Sequence, residues 1–252
     1  LMVEKFFITN ESLSIVSIAV SPAGYVRPKK SFNWPITRVI AIPDVKPMVI
    51  VWGIYFIREK VDETFVANHY NVQTTKEDTS ILRIDGEVKT GTNKEYNKLI
   101  SYVSNNNLNN SKNYEYVKDK IDIQSLCDFW IAEMYIANYD ILNTRYFSNP
   151  NIDNGKWKFI FYDADSGFFR TTNNSFNEYT NPSGMGFGYF PTTLLRNLMK
   201  SDEFKKTFLE RLSYNLKNTW TYDNVNKKID SVVDEFGKEE FKRNAKRWGN
   251  SY

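Results

Sequence analysis

Acidic and amide side chains cluster in two short stretches of this sequence, NYDILNTRYF and FIFYDADSGFF. The first stretch contains Asp140 and Asn143, and the second contains Asp163 and Asp165. Carboxylate and amide oxygens are hard ligands that suit Mg²⁺, which bridges substrate phosphates while one or two carboxylates hold it. Carboxylates that lie close together repel one another unless a cation compensates their charge. The two stretches therefore predict a magnesium site with Asn143, Asp163 and Asp165 as its candidate ligands.

The order of these residues along the chain matches the logic of phosphoryl transfer in kinases. There, one loop aspartate accepts the proton of the substrate hydroxyl, a nearby asparagine holds metal, and an aspartate after a strand holds metal at the nucleotide phosphates. Asp140 would be the loop aspartate and the catalytic residue, Asn143 its metal-binding companion, and Asp163 the ligand after the strand. Two residues separate Asp140 from Asn143, a shorter interval than in protein kinases.

A helix and a β-hairpin are expected to position these side chains. The apolar run after Asp122, a plausible N-cap, predicts a helix that reaches about Tyr139, so that Asp140 follows its end. Residues 144–148 and 156–162 read as two short strands joined by the turn-rich segment NPNIDNG. Because a tight hairpin returns the chain to its starting point, the residues before and after it should lie close together.

The rest of the chain changes character along its length. Residues 12–20 and 47–57 are rich in Val, Ile and aromatic side chains and predict strands. After Thr92 apolar residues recur at helical spacing. We therefore expect an α+β, protein-kinase-like fold, with a small sheet-rich N-terminal lobe over residues 1–90. A larger, mainly helical C-terminal lobe over residues 91–252 would contain the embedded hairpin and the catalytic site.

Composition excludes several classes of function. The net charge is +3 in 252 residues, and basic residues alternate with acidic ones rather than forming the stripe expected of a nucleic-acid-binding protein. No segment has 18 consecutive apolar residues, so no membrane span is predicted. The single histidine, His69, lies in a polar stretch, and the single cysteine, Cys127, lies in an apolar run as expected of a buried thiol. A Ser-His-Asp or Cys-His hydrolase is therefore not indicated.

The ordered set of motifs resembles the CotH kinase family of atypical, protein-kinase-like proteins. The resemblance covers roughly residues 47–252 and runs through WGIYFIREKVDETFV, NYDILNTRYF, KWKFIFYDADSGFF and RNAKRW. It implies a two-lobed fold that binds ATP and magnesium and phosphorylates protein, with Asp140 and Asp163 at its centre and Asn143 beside them. In the spore-forming bacterial members coat proteins are the substrates. The resemblance thus implies a Ser-rich, coat-like protein partner and a spore-coat or cell-surface location.

Three residues of the N-terminal part are candidate ATP contacts. Glu59 matches the family's Gly-x-Tyr…Glu element, where it would contact nucleotide or orient a lysine; a surface glutamate is the alternative. Lys29 and Lys30 resemble a basic pair of the family's N-terminal lobe, and a compact ammonium group suits a phosphate. A solvated lysine pair is equally compatible with the sequence, and residues 1–51 match the family poorly.

The leading hypothesis is an atypical kinase that transfers the γ-phosphoryl group of ATP to a protein hydroxyl, with serine as the favoured acceptor. Two alternatives stay open. In a DxD glycosyltransferase, Asp163 and Asp165 would hold a metal against a nucleotide-sugar diphosphate, but no clear doubly wound nucleotide-binding half precedes them. A catalytically inert, CotH-like structural protein of a spore coat or cell envelope would show no metal-dependent nucleotide binding.

Overall fold

The computed structural model describes residues 7–9, 12–14, 59–84, 86–170, 172–183 and 192–249. Lys29, Lys30 and the predicted strand at residues 47–57 lie outside the described residues. Of the predicted strand at residues 12–20, only the first three residues are described, and they form a strand.

Helices make up most of the described chain. They are α1 Glu63–Tyr70, α2 Lys94–Asn105, α3 Ser111–Lys120, α4 Ile123–Tyr135, α5 Ser175–Thr180, α6 Thr193–Leu198, α7 Asp202–Tyr214, α8 Tyr222–Phe236 and α9 Lys238–Trp248. The strands are β1 Phe7–Thr9, β2 Ser12–Ser14, β3 Ser80–Arg83, β4 Glu87–Thr90, β5 Arg145–Ser148 and β6 Lys158–Ile160. A small antiparallel sheet within mainly helical structure confirms the α+β class. No helix of the described ranges is long and apolar enough to cross a membrane.

The described residues form two compact units. The larger unit contains Lys60–Thr221 together with β1, and the smaller contains Glu59 and the helices α8 and α9. All four residues of the predicted magnesium and catalytic site belong to the larger unit. The predicted lobe boundary at residues 90 and 91, and the two-lobed arrangement itself, stay predictions.

The sheet of the larger unit contains the predicted hairpin. Its four strands are antiparallel in the order β4-β3-β5-β6. In the hairpin Arg145 lies opposite Ile160 and Phe147 lies opposite Lys158, which confirms the pairing inferred from the alternating pattern. The turn between the strands is closed by a hydrogen bond from the Ser148 hydroxyl to the carbonyl oxygen of Gly155, at 2.7 Å.

Apolar side chains cover both faces of this sheet. On one face Leu82 and Tyr146 belong to the main core with α4, and the Tyr146 ring stacks on Phe159 with centroids 5.3 Å apart. On the other face Ile81 and Phe147 pack in a smaller core with residues of α1. Successive side chains of a strand point to opposite faces, so burial on both sides fixes the register of the hairpin.

The helix that precedes the site is anchored at its start and ends earlier than predicted. Asp122 caps α4 by accepting a hydrogen bond from the Ser125 N–H at 3.0 Å, which confirms the predicted N-cap. The helix ends at Tyr135 rather than at about Tyr139. It stops because Ala137 adopts a left-handed conformation, with φ of 49°. The predicted end was therefore wrong, and Asp140 lies beyond a structured turn rather than directly at the helix terminus.

Candidate active site

The turn after α4 sets the direction of the loop that contains Asp140. The Ala137 N–H donates to the carbonyl oxygen of Met134 at 3.2 Å, and the Asn138 N–H donates to that of Glu133 at 3.1 Å. This pair of bonds, with a left-handed residue between helix and loop, is the Schellman arrangement that satisfies the last carbonyl groups of a helix. The chain consequently leaves α4 in a defined direction.

Asp140 and Asn143 form one hydrogen-bonded loop. The Asp140 N–H donates to the side-chain oxygen of Asn138 at 3.1 Å. Residues Ile141–Asn143 then form a short 3₁₀ turn, and the amide nitrogen of Asn143 donates to a carboxylate oxygen of Asp140 at 2.8 Å. The structure therefore brings together the predicted catalytic residue and its predicted metal-binding companion.

Backbone hydrogen bonds join this loop to the one that follows β6. The Tyr139 N–H donates to the Ser166 carbonyl oxygen at 3.2 Å, and the Phe168 N–H donates to the Ile136 carbonyl oxygen at 2.5 Å. A Cβ atom on Gly167 would lie 2.9 Å from the end of the Ile136 side chain and 3.1 Å from the Ala164 carbonyl oxygen, so a larger residue there would force these neighbours to shift. The DAD segment is thus held against the Asp140 loop, as the hairpin predicted.

The charges of Asp163 and Asp165 both act on Asp140. Burial raises the pKa of Asp140, and the charges of Asp163 and Asp165 raise it further, while hydrogen bonds from the Leu142 N–H and the Asn143 amide oppose the shift. Asp163 itself has a left-handed backbone with φ of 63°. Such a conformation costs a non-glycine residue about 1–2 kcal/mol and is found at sites that use the imposed geometry.

The donor set fits magnesium, although it is not a pre-assembled cage. Within the described ranges no group of three or more His, Cys, Asp or Glu side chains is placed to hold a metal ion. Magnesium in phosphoryl-transfer sites takes one or two carboxylates and completes its octahedron with substrate phosphates and water, so a full protein cage is not required. A divalent cation would relieve the repulsion that Asp163 and Asp165 exert on Asp140.

Two charged residues of this neighbourhood were missed by the sequence prediction. Glu133 on α4 is only 2% exposed, and burial, followed by the charge of Asp140, raises its pKa to about 8, against an opposing contribution from the Asn138 side chain. A lone acid within the apolar run LCDFWIAEMYIA was the available signal. Arg145 is the first residue of β5. Its position directly after the Asp140 loop was the feature of the sequence that could have identified it.

The other three predicted site residues are the candidate ATP contacts. Glu59 is exposed and belongs to the smaller unit, so its role at ATP stays a prediction. Lys29 and Lys30 lie outside the described residues, and their roles also stay predictions.

Comparison with known proteins gives the family. No curated protein and no solved structure matches this chain. A family profile described as CotH kinase protein matches residues 50–252, which includes α4, the hairpin and both loops of the site. A kinase family implies ATP as a ligand and usually a divalent metal. With most of its length matched by that profile, the chain belongs to the CotH kinase family.

Proposed function

We propose that this protein is an atypical kinase that transfers the γ-phosphoryl group of ATP to a protein hydroxyl, with serine as the favoured acceptor and with Mg²⁺. The observation that carries the proposal is the hydrogen-bonded pair of Asp140 and Asn143, held against the Asp163 loop. A loop aspartate, an adjacent amide oxygen and an aspartate after a strand are the parts that kinases use.

Asp140 is the residue that accepts the proton. Its pKa is raised by burial and by its acidic neighbours, which makes its carboxylate a stronger base than that of a free aspartate. As the acceptor hydroxyl forms its bond to the γ-phosphorus, the bond from that phosphorus to the bridging oxygen breaks and ADP leaves with the electron pair. The hydroxyl proton moves to the Asp140 carboxylate.

Asn143 and Asp163 are the residues that would hold the cation. Because the Asn143 amide nitrogen donates to Asp140, the oxygen of the same amide is left to act as a ligand. Asp165 lies near enough to add to the negative field at Asp140. Bound Mg²⁺ supplies positive charge to the phosphate oxygens, where negative charge is concentrated during transfer.

The test is label transfer from γ-labelled ATP with magnesium, with a Ser-rich bacterial coat protein as acceptor. We expect Asp140→Asn and Asp163→Ala to lower the rate by about 100-fold or more. Asp119→Asn, at an exposed position on α3, serves as the matched control and should transfer label at the wild-type rate. An absence of transfer together with no magnesium-dependent ATP binding would refute the kinase and favour an inert scaffold.

A further inference from the structure

Arg145 is held at the site by contacts that fix its guanidinium group. Its Nη1 donates to the carbonyl oxygens of Asn143 at 3.1 Å and Thr144 at 3.0 Å. The guanidinium carbon lies 4.9 Å from the centre of the Tyr162 ring, a distance at which a cation is attracted to an aromatic face. Since Tyr162 directly precedes Asp163, the positive group lies beside both loops of the candidate active site.

Arg145 has no ion-paired carboxylate among the residues that the structure describes. Its cross-strand neighbour on β3 is Arg83, and like charges placed opposite each other destabilise a sheet. Arg83 pairs with Glu87 at 2.5 Å, whereas Arg145 forms no ion pair with any described residue. Arg145 thus faces a like charge across the strands, and the nearest ion-paired carboxylate, Glu87, is bound to Arg83.

The Arg145 side chain is partly buried. The group stays cationic at physiological pH because a guanidinium does not lose its proton there. A partly buried cation without an ion pair carries a desolvation cost, and a bound anion would reduce that cost.

We propose that Arg145 binds the phosphate chain of the nucleotide, as a substrate-contacting residue of the site. Its fixed Nη1 leaves Nη2 and Nε available, and a planar guanidinium presents such donors in a fork that matches phosphate oxygens. A positive group beside the transferred phosphoryl also stabilises the charge of the transition state. The assignment rests on the proposed function, since it takes a nucleoside triphosphate as the ligand.

A purely structural role makes a different prediction. If Arg145 only braced the loop through the carbonyl groups of Asn143 and Thr144, its loss would disturb binding of every nucleotide part alike. If it contacts phosphate, its loss should weaken binding of Mg–ATP and leave binding of adenosine unchanged.

The experiment measures the affinity of the full chain for Mg–ATP and for adenosine by calorimetry. Arg145→Met keeps an unbranched stem and removes the charge, and Arg145→Lys keeps the charge and removes the fork. Arg170→Met is the matched control, because Arg170 lies 5.5 Å from the ring centre of Tyr139 and pairs with Glu178 at 3.1 Å. We expect Mg–ATP binding to weaken about 10- to 100-fold in Arg145→Met, as for loss of charged hydrogen bonds, and by less in Arg145→Lys.

The outcomes separate this assignment from the proposed function. Weaker Mg–ATP binding with unchanged adenosine binding in the Arg145 variants, together with wild-type affinities in Arg170→Met, supports it. Equal weakening for ATP and adenosine, or no weakening, would overturn it. If Arg145→Met does not fold, the same comparison is made with Arg145→Lys. A wild-type protein that binds Mg–ATP without transferring phosphate would refute the kinase alone, whereas one that binds no ATP would refute both.

Discussion

The buried Glu133 leads to a prediction about the pH dependence of protein stability, and the size of the effect follows from its pKa. Its pKa is 4.5 as an ordinary glutamate and about 8 in the fold, where burial is the main cause. Between these pH values the folded protein keeps the proton that the unfolded chain has lost. Stability therefore falls as pH rises through this window, by about 1.4 kcal/mol per pH unit.

Replacing Glu133 with glutamine removes that penalty. Neutral pH lies about 2.5 units above the ordinary pKa of glutamate, so Glu133→Gln should raise the free energy of unfolding at pH 7 by about 3 kcal/mol. For a chain of this size that corresponds to a rise in Tm of roughly 6–12 °C. At pH 4.5 and below, the wild-type and variant proteins should unfold at nearly the same temperature, because the wild-type carboxyl is then protonated in both states.

The assay is thermal unfolding followed by circular dichroism at pH 5 and pH 7.5. Glu210→Gln, at an exposed position on α7, is the control and should show no pH-dependent gain. A Glu133→Gln protein that is less stable than wild type at pH 7.5 would refute the reasoning, since Glu133 would then be ionised and favourably paired in the fold. A gain of equal size at both pH values would also contradict it.

Three further outcomes follow from the contacts around the site. Gly167→Ala should lower phosphoryl transfer and cost about 1–3 kcal/mol in chemical denaturation, because the added methyl group meets the Ile136 side chain at 2.9 Å; unchanged stability and rate would show that the loops can separate freely. Asp122→Ala removes both the cap of α4 and the 2.5 Å contact to the buried Lys158. We expect it to lower the free energy of unfolding in urea by about 2 kcal/mol; a decrease below about 0.5 kcal/mol would contradict this. Asn143→Ala removes a hydrogen bond that lowers the pKa of Asp140. The acid limb of the pH profile of kcat/KM should therefore move to higher pH. An acid limb that stays in place would mean that this hydrogen bond is not made in the working enzyme.

The elements around the site could be predicted because local patterns specify them. The alternation of apolar residues is sufficient to predict the hairpin. A capping side chain before an apolar run is sufficient to predict the start of α4. The end of that helix depends on the left-handed Ala137 and on the tertiary bond between Phe168 and Ile136. Helix propensity contains no information about such a bond, and alanine itself favours continuation of the helix.

The difference between local patterns and tertiary contacts also explains which site residues the sequence prediction missed. Asp140 and Asp163 could be selected because their residue types and order are those of a known chemistry. Arg145 could not, because it was the like charge of Arg83 opposite it that drew attention to it. Cross-strand register follows from the folded sheet rather than from the sequence of one strand. Glu133 appears in the sequence as an ordinary acid, and only its burial identifies it as a neutral one at pH 7.

The charge of the site links these residues in a last prediction. The negative charges of Asp163 and Asp165 both act on Asp140. A divalent cation bound between the two loops would relieve this repulsion. We therefore expect Mg²⁺ alone, without nucleotide, to raise the Tm of the wild-type protein, because a ligand that binds only the folded state stabilises it.

That effect should depend on Asp163 and not on overall ionic strength. Asp163→Ala removes one acidic side chain and a candidate ligand, so its Tm should not respond to Mg²⁺, while Asp119→Asn should respond like the wild type. Sodium chloride at matched ionic strength should not reproduce the rise, since screening acts on all surface charges alike. Equal stabilisation of the wild-type and Asp163→Ala proteins by Mg²⁺ would place the cation elsewhere and remove Asp163 from its ligand set.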